Sequence, residues 1–167
     1  MRVTIISDAS CSTDLQYAAY AFWAVSSRAK LAHSGPLKEP VGSTAEAEVK
    51  AVMNAVHIAK RAGVLCDGDD LLIQVDALGA IHALTGVMTK SRTKLKYARY
   101  LKAFQDATQA HGIRVEFRHV KGHTKAETHG EARFRAQRNV DKAARTAMRN
   151  ARTAGRCDHP ASMKAAG

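Results

Sequence analysis

Cysteine is scarce in this chain of 167 residues, and the three that occur lie far apart at Cys11, Cys66 and Cys157. An odd number of widely spaced cysteines does not make a disulfide framework, so we expect a reducing, cytoplasmic location. Long apolar runs are also absent. None approaches the roughly 20 residues that span a bilayer, and we expect no membrane partner. The chain reaches Asp8 before the apolar region of a signal peptide develops, so we expect no secretory signal.

Acidic residues are scarce in the second half of the chain. The sequence has 26 Lys and Arg against 15 Asp and Glu, a net charge of +11. Residues 1–88 hold 7 basic and 9 acidic residues (net −2), whereas residues 89–167 hold 19 and 6 (net +13). Such one-sided positive charge favours a polyanionic partner, with nucleic acid as the leading candidate. A basic surface that serves solubility is the alternative, and charge alone does not specify a reaction.

Hydrophobic periodicity predicts one domain over residues 1–152 and a flexible tail over residues 153–167. We expect strands at residues 2–7, 17–26, 28–33, 71–75 and 113–120. We expect helices at residues 45–62, 77–84, 97–111 and 139–152. A polar, irregular stretch over residues 121–137 lies between the last strand and the last helix. The order βββαβααβα favours an α/β fold in which helices flank a mixed sheet.

Four acids lie either at the end of a predicted strand or on the inward face of a predicted helix. Asp8 follows the first strand and Asp76 follows the fourth. Asp141 lies near the buried side of the last helix. Glu46 points away from the sheet, whereas helical spacing places Glu48 on the stripe that faces the sheet, together with Ala51, Val52, Ala55, Val56 and Ala59.

Carboxylates that face a buried interior need a compensating positive charge, because burial penalises an unpaired ion. Neighbouring acids make that penalty larger. Divalent cations such as Mg²⁺ or Mn²⁺ remove it, since they prefer hard oxygen ligands. One acid at a strand end is most simply a cap or a surface residue, but the four acids together predict a metal site.

The chain resembles type 1 ribonuclease H in five segments that occur in family order between Arg2 and about Ala147. The most specific is Val-Lys-Gly-His at residues 120–123, followed by Asn-Val-Asp-Lys-Ala-Ala-Arg at residues 139–145. The others are Ile-Ile-Ser-Asp-Ala-Ser-Cys (5–11), Ser-Thr-Ala-Glu-Ala-Glu-Val-Lys-Ala-Val (43–52) and Ile-Gln-Val-Asp (73–76). The resemblance implies a ribonuclease H-like, five-stranded mixed sheet flanked by helices, with the first three strands antiparallel.

The resemblance also implies the site and its chemistry. It maps the four metal ligands, which are also catalytic residues, onto Asp8, Glu48, Asp76 and Asp141. The catalytic loop histidine maps onto His123, and His129 is a second candidate in the same loop. We expect two Mg²⁺ ions per active site, with Mn²⁺ as an alternative, and in-line attack of water on the RNA strand of an RNA–DNA hybrid. We expect the enzyme to be a monomer.

Hybrid binding is implied for the start of the first long helix, for a basic segment after the second helix and for the loop before the catalytic histidine. The expected nucleic-acid-binding residues are Ser43, Thr44, Lys90, Arg92, Lys94, Lys96 and Lys121. The chain departs from the family pattern at residues 12–16, where a glycine-containing turn is usual, and at residues 76–78, where Asp-Ser-Gln is usual. A DNA-acting nuclease of the same fold and a non-catalytic nucleic-acid-binding domain are therefore the alternatives.

Three further patterns have simpler explanations. Spacing i, i+3 and i+7 predicts helix core, rather than a base-stacking surface, for Tyr97, Tyr100 and Phe104. Cys11 lacks the surroundings of a thiol enzyme, and we expect it to pack against the first strand. A zinc site is the weaker metal alternative, because no cysteine cluster accompanies the three nearby histidines His119, His123 and His129.

Overall fold

The computed structural model describes residues 1–87, 91–120 and 132–157, without the side chains of residues 91–94, 132–133 and 156–157. Its strands are β1 (Arg2–Cys11), β2 (Ala18–Val25), β3 (Lys30–Pro36), β4 (Asp70–Val75) and β5 (Arg114–His119). Its helices are α1 (Thr44–Arg61), α2 (Leu78–Thr85), α3 (Ser91–Thr108) and α4 (Ala132–Cys157), with a short 3₁₀ turn at Gln109–His111. None of the helices in these stretches is long and apolar enough to cross a membrane.

The five strands form one mixed sheet in the order β3-β2-β1-β4-β5. Strand β2 pairs antiparallel with β1 on one side and with β3 on the other, whereas β4 pairs parallel with both β1 and β5. Ile6 pairs with Gln74, so Asp8 lies level with Asp76, the residue after β4. The fold class predicted from the sequence is confirmed, and the register already brings two of the four acids to the same end of the sheet.

Strand β1 contributes to two cores, because successive residues of a strand point to opposite faces. Val3 and Ile5 are fully buried in the main core, which lies between the sheet and α1, α2 and α3. Ile6 packs instead with Val140 and Ala144 of α4 on the other face. Asp8 shares the parity of Ile6 and therefore belongs to the α4 face. The central strand thus places an acid between the sheet and its last helix.

Several predicted boundaries were wrong. Strand β1 continues to Cys11, so Asp8 lies within this strand rather than after it. Helix α4 begins at Ala132, within the stretch 121–137 that the sequence marked as irregular. It ends at Cys157, five residues into the predicted tail, and residues 158–167 lie outside the described part of the chain. Helix α3 begins at Ser91, so the basic segment forms its first turns rather than preceding it. Arginine and lysine are good helix formers, and these polar helix ends need no apolar partner.

The predicted aromatic core is confirmed. Tyr97, Tyr100 and Phe104 are 6%, 9% and 4% exposed, and all three pack into the main core. They are therefore not available as a stacking surface for bases. Their burial fixes α3 against α1, the helix that carries Glu48.

Helix α1 begins with a side-chain cap. The amide of Glu46 donates to the hydroxyl Oγ of Ser43 (3.2 Å), and Ser43 itself has extended backbone angles. The amide of Gly42 donates in turn to the Glu46 carboxylate (3.1 Å). Ser-x-x-Glu spacing is typical of such reciprocal capping, which satisfies amides that the first helical turn leaves unpaired. The cap fixes the first turn of α1, directly before Glu48.

We predict that Ser43→Ala lowers the free energy of unfolding by about 1 kcal/mol, because it removes the acceptor for the Glu46 amide. Ser43→Asn retains a side-chain oxygen at the cap and should cost no more than a few tenths of that figure. Urea unfolding of both variants at pH 7 measures the difference. An equal loss in the two variants would show that the cap does not stabilise the helix.

Candidate metal centre

Three carboxylates meet where the parallel strand β4 ends beside β1. Asp8, Glu48 and Asp76 each place one carboxylate oxygen within 4.8 Å of the others. Asp8, within β1, lies level with Asp76, the residue that follows β4. Glu48 reaches the same point from α1, where its Oε1 accepts the amide of Ala9 (3.2 Å). The inward orientation predicted for Glu48 from helical spacing therefore brings it to the end of β1.

Burial and mutual repulsion change the acidity of this cluster. Burial raises the pKa of Asp8 to about 8, and the negative charges of Asp76 and Asp141 add to the effect. Burial likewise raises the pKa of Glu48 to about 9, with the charges of Asp8 and Asp76 adding to it. Within the described stretches, no Lys or Arg forms an ion pair with any of the three clustered acids. Among the described residues the cluster therefore has no compensating positive charge.

Asp141 borders the cluster from α4. Its charge and a hydrogen-bonding contact both contribute to the raised pKa of Asp8. Its carboxylate also pairs with Arg145 one turn further along the helix (Nε to Oδ1, 2.8 Å). Asp141 is not one of the three acids within 4.8 Å of one another. The structure therefore brings three predicted ligands together and places the fourth beside Asp8.

The donor set fits a hard divalent cation. All three clustered ligands are carboxylates, and the second oxygen of Glu48, Oε2, is buried without a hydrogen-bond partner. An orphaned buried carboxylate oxygen is costly, and a bound cation removes that cost. Oxygen-only ligands are typical of Mg²⁺ and Mn²⁺ sites. Asp8, Glu48, Asp76 and, from the border, Asp141 are the residues that could hold such an ion.

The two alternative sites, a histidine zinc site and a cysteine nucleophile, have less support. His119, from the zinc alternative, is not in the cluster, and its Nε2 lies 2.9 Å from the backbone oxygen of Asp76. Cys11 is the last residue of β1 rather than a residue packed against that strand, and it lies against the buried cluster of Ala18, Val41 and Ala47. Burial and the nearby charge of Glu48 raise the pKa of Cys11, which favours the thiol over the nucleophilic thiolate.

The predicted nucleic-acid-binding residues divide into three groups. Ser43 caps α1, and Thr44 is the exposed first residue of that helix. Lys96 contacts α1, with Nζ 3.5 Å from both the Ser43 hydroxyl and the Glu46 carboxylate. The remaining predictions, together with the loop histidines, concern residues or side chains outside the described part of the chain: Lys90, Arg92, Lys94, Lys121, His123 and His129.

Glu46 is the residue whose importance the sequence did not reveal. It does point away from the sheet, yet it is only 7% exposed, because α3 covers it. The Tyr100 hydroxyl donates to its Oε1 at 2.6 Å, and Arg99 lies 3.6 Å from the same oxygen. Burial alone would raise the pKa of Glu46, but Tyr100, Gly42 and the lysines outweigh it and the pKa is lowered. The Ser-x-x-Glu spacing was the available signal, although it indicates capping and not these contacts to α3.

Comparison with known proteins identifies the family of this site. The sequence profile of the RNase H family matches residues 1–149. The chain belongs to the RNase H family. This membership confirms the resemblance drawn from the five sequence segments and makes the chain a ribonuclease H enzyme. No curated protein sequence matches the chain significantly.

Solved structures of the family have the same fold. RNase H1 from the halophilic archaeon Halobacterium salinarum NRC-1 is 18% identical, covers 90% of this chain and 100% of its own, and gives a TM-score of 0.59. LC11-RNase H1, isolated from compost by a metagenomic approach, is 14% identical, covers 90% and 97%, and gives 0.64. The same LC11 enzyme in complex with an RNA/DNA hybrid is 14% identical, covers 89% and 98%, and gives 0.61. At these identities the likeness shows the fold alone.

The raised pKa values predict how the stability of the metal-free protein depends on pH. Unfolded Asp and Glu lose their protons near pH 4, whereas folded Asp8 and Glu48 keep theirs until about pH 8 and 9. Between these limits the folded state binds more protons than the unfolded state, so stability falls as pH rises. We expect the melting temperature in EDTA to fall steadily from about pH 5 to about pH 9.

Added Mg²⁺ should reverse this loss, because the ion binds the deprotonated carboxylates of the folded state. Its stabilising effect should therefore grow with pH. Asp8→Asn serves as the matched variant, since it removes one charge with little change in shape. It should flatten the pH dependence in EDTA and reduce the stabilisation by Mg²⁺. A wild-type melting temperature that rises with pH in EDTA would contradict the charge repulsion described above.

Proposed function

We propose that this enzyme hydrolyses the RNA strand of RNA–DNA hybrids at a divalent-metal centre held by Asp8, Glu48, Asp76 and Asp141. The carboxylate cluster where β4 ends beside β1 carries the proposal, because no described cation compensates it and it requires cations to become fully charged near neutral pH. Membership of the RNase H family supports the reaction. The LC11 enzyme of the same fold, crystallised with an RNA/DNA hybrid, supports the substrate.

The chain's own residues would act as follows. The carboxylates fix the position of the centre and leave room for a scissile phosphate and an attacking water. The amide of Ala9 orients Glu48, and Arg145 orients Asp141, so two of the four ligands are held by neighbouring groups. When bound, two Mg²⁺ or Mn²⁺ ions activate the water for in-line attack and neutralise charge at the leaving oxygen.

His123 is the proposed proton carrier. A histidine with an ordinary pKa near 6.5 exchanges protons readily at neutral pH. Gly122 precedes it in the sequence, and glycine adopts backbone conformations that other residues avoid. The imidazole ring of His123 would accept a proton from the attacking water or donate one to the leaving oxygen. The choice between His123 and His129, the monomeric state and the cytoplasmic location all stay predictions from the sequence.

Selection of the hybrid would depend on duplex shape and on the 2′-hydroxyls of the RNA strand rather than on base identity. Thr44 is exposed at the start of α1, two positions before Glu46 and four before Glu48, and is therefore near the centre. Ser43 is engaged as the helix cap, which limits its hydroxyl as a ligand for nucleic acid.

A panel of labelled substrates tests the proposed function. In Mg²⁺ we expect cleavage of the RNA strand of a hybrid, and little or no cleavage of duplex DNA, duplex RNA or single strands. Asp8→Asn should lower the rate by at least about a hundredfold, as expected when a ligand charge is lost from the catalytic centre. Cleavage of DNA without cleavage of hybrid RNA would identify the alternative nuclease, and binding without any cleavage would identify a non-catalytic domain.

Replacing each loop histidine separately tests the proton carrier. We expect His123→Ala to lower kcat by about a hundredfold, within the usual range for loss of an acid–base group. Stabilisation of this variant by Mg²⁺ should remain, because the carboxylates are untouched. His129→Ala is the matched control and should keep most of the activity. The reverse pattern would move the assignment to His129.

A further inference from the structure

Helix α4 has an unusual balance of charge along its length. Over residues 132–157 the sequence contains eight basic residues and a single acid, Asp141. Six of the basic residues have described side chains, and all six are exposed: Arg135, Arg138, Lys142, Arg145, Arg149 and Arg152. Surfaces that only maintain solubility mix both signs of charge. The single sign here indicates a polyanionic partner.

Helical geometry gathers these six side chains on one side. At 100° per residue they fall within an arc of about 100°, opposite the stripe of Val140 and Ala144 that packs on the sheet. Between Arg138 and Arg152 the arc extends about 21 Å along the helix axis. We call this set of six residues the cationic face of α4. All six side chains are exposed, and Arg135 and Lys142 also border the grooves between α4 and the sheet.

Much of this charge is free of described partners. Arg145 pairs with Asp141, and Arg152 is near enough to Asp14 to help lower its pKa. In the described part of the chain no acid forms an ion pair with Arg138, Lys142 or Arg149. These three cations are available to an external anion.

Two cations on α3, unlike those on α4, are paired with a protein carboxylate. Both Lys96 and Arg99 lie within 4.0 Å of the buried Glu46 carboxylate, at 3.5 Å and 3.6 Å. Lys96, which the sequence assigned to hybrid binding, thus shares its charge with a protein carboxylate. A phosphate would compete with Glu46 for this lysine, whereas among the described acids none competes for Lys142 or Arg149. The free positive charge lies on α4 rather than at this part of α3.

The cationic face also has the right location. Asp141 lies at its edge, next to Asp8, so the face begins beside the metal centre. Towards its C-terminus α4 approaches the turn after β1, where a Cβ at Gly155 would come within 2.7 Å of the Tyr17 ring. Because Asp8 is near this same end of β1, the second half of the cationic face lies at the catalytic end of the sheet.

We propose that the cationic face of α4 is a second phosphate-binding surface, which holds the hybrid on the side of Asp141 and guides it past the metal centre. One strand carries a phosphate about every 3.4 Å along the duplex axis, so the roughly 21 Å from Arg138 to Arg152 spans about six phosphates. This inference rests on the proposed function and names a binding surface for its substrate. It makes substrate affinity depend on residues that hold no metal.

The test removes three cations of the face and keeps Arg145, the one that pairs with Asp141. The variant is Lys142→Gln, Arg149→Gln and Arg152→Gln combined, which leaves Arg138 and Arg145 in place. The matched control removes three exposed cations elsewhere, Lys30→Gln, Arg61→Gln and Lys102→Gln. Lys30 begins β3 and Arg61 ends α1, both at the end of the sheet away from Asp8.

Binding is measured by fluorescence anisotropy with a labelled 20-base-pair hybrid in the Asp8→Asn background, which prevents cleavage. At 50 mM salt we expect Kd to rise at least about tenfold in the α4 variant and about threefold or less in the control. The slope of log K against log salt should become shallower by about 2 to 3, from the loss of three phosphate contacts. In the otherwise wild-type enzyme, the change should appear in KM rather than in kcat.

An unchanged Kd in the α4 variant, or an equal loss in the control, overturns the inference. Thermal unfolding of both variants checks that the exposed substitutions leave the fold intact. Vesicles with phosphatidylserine form a further arm, and loss of vesicle binding without loss of hybrid binding also overturns it. Failure of the proposed function looks different: the wild-type enzyme then does not cleave the hybrid, whereas the α4 variant still binds it more weakly than the control.

Discussion

Buried acidic groups where β4 ends beside β1 are the constraint on which the rest of the molecule depends. The strand register brings Asp8 level with Asp76, and α1 adds Glu48 to the same volume. Without a cation the folded protein accommodates these groups by holding protons on Asp8 and Glu48 up to about pH 8 and 9. Proteins are only marginally stable, so such a penalty must be offset elsewhere. The fully buried residues Val3 and Ile5 provide that stability on the same strand.

Two glutamates on α1 show how neighbours, and not residue type, decide the state of a carboxyl group. Glu46 and Glu48 are two positions apart, and therefore lie about 200° apart around the helix. Glu46 accepts a hydrogen bond from the Tyr100 hydroxyl and lies near positively charged lysines, so its pKa is lowered despite burial. Glu48 receives one amide and faces other acids, and its pKa is raised. One face of α1 is thereby tied to α3, whereas the other keeps a carboxylate oxygen available for a cation.

The sequence predicted what local periodicity can encode. The strand and helix order and the inward face of Glu48 follow from apolar spacing, and both agree with the structure. The ends of α4 were missed because its buried stripe consists largely of small residues such as Ala136 and Ala144, which give a weak apolar signal among many arginines. The contacts of Glu46 with Tyr100 and Arg99 were also missed. They join residues more than fifty positions apart, and local spacing contains no information about such pairs.

Charges of opposite sign meet on α4, and their different burial gives them different roles. An acidic cluster repels a polyphosphate, and adjacent cations reduce that repulsion only where they are not already paired. The cationic face is exposed, so dissolved salt screens it, whereas the buried carboxylates are screened much less. Substrate binding should therefore respond mainly to ionic strength, and the metal centre mainly to pH and cation concentration. Arg145 lies at the boundary, since it belongs to the cationic face and pairs with Asp141. The same helix thus couples the surface that would hold the phosphate backbone to the acids that would act on it.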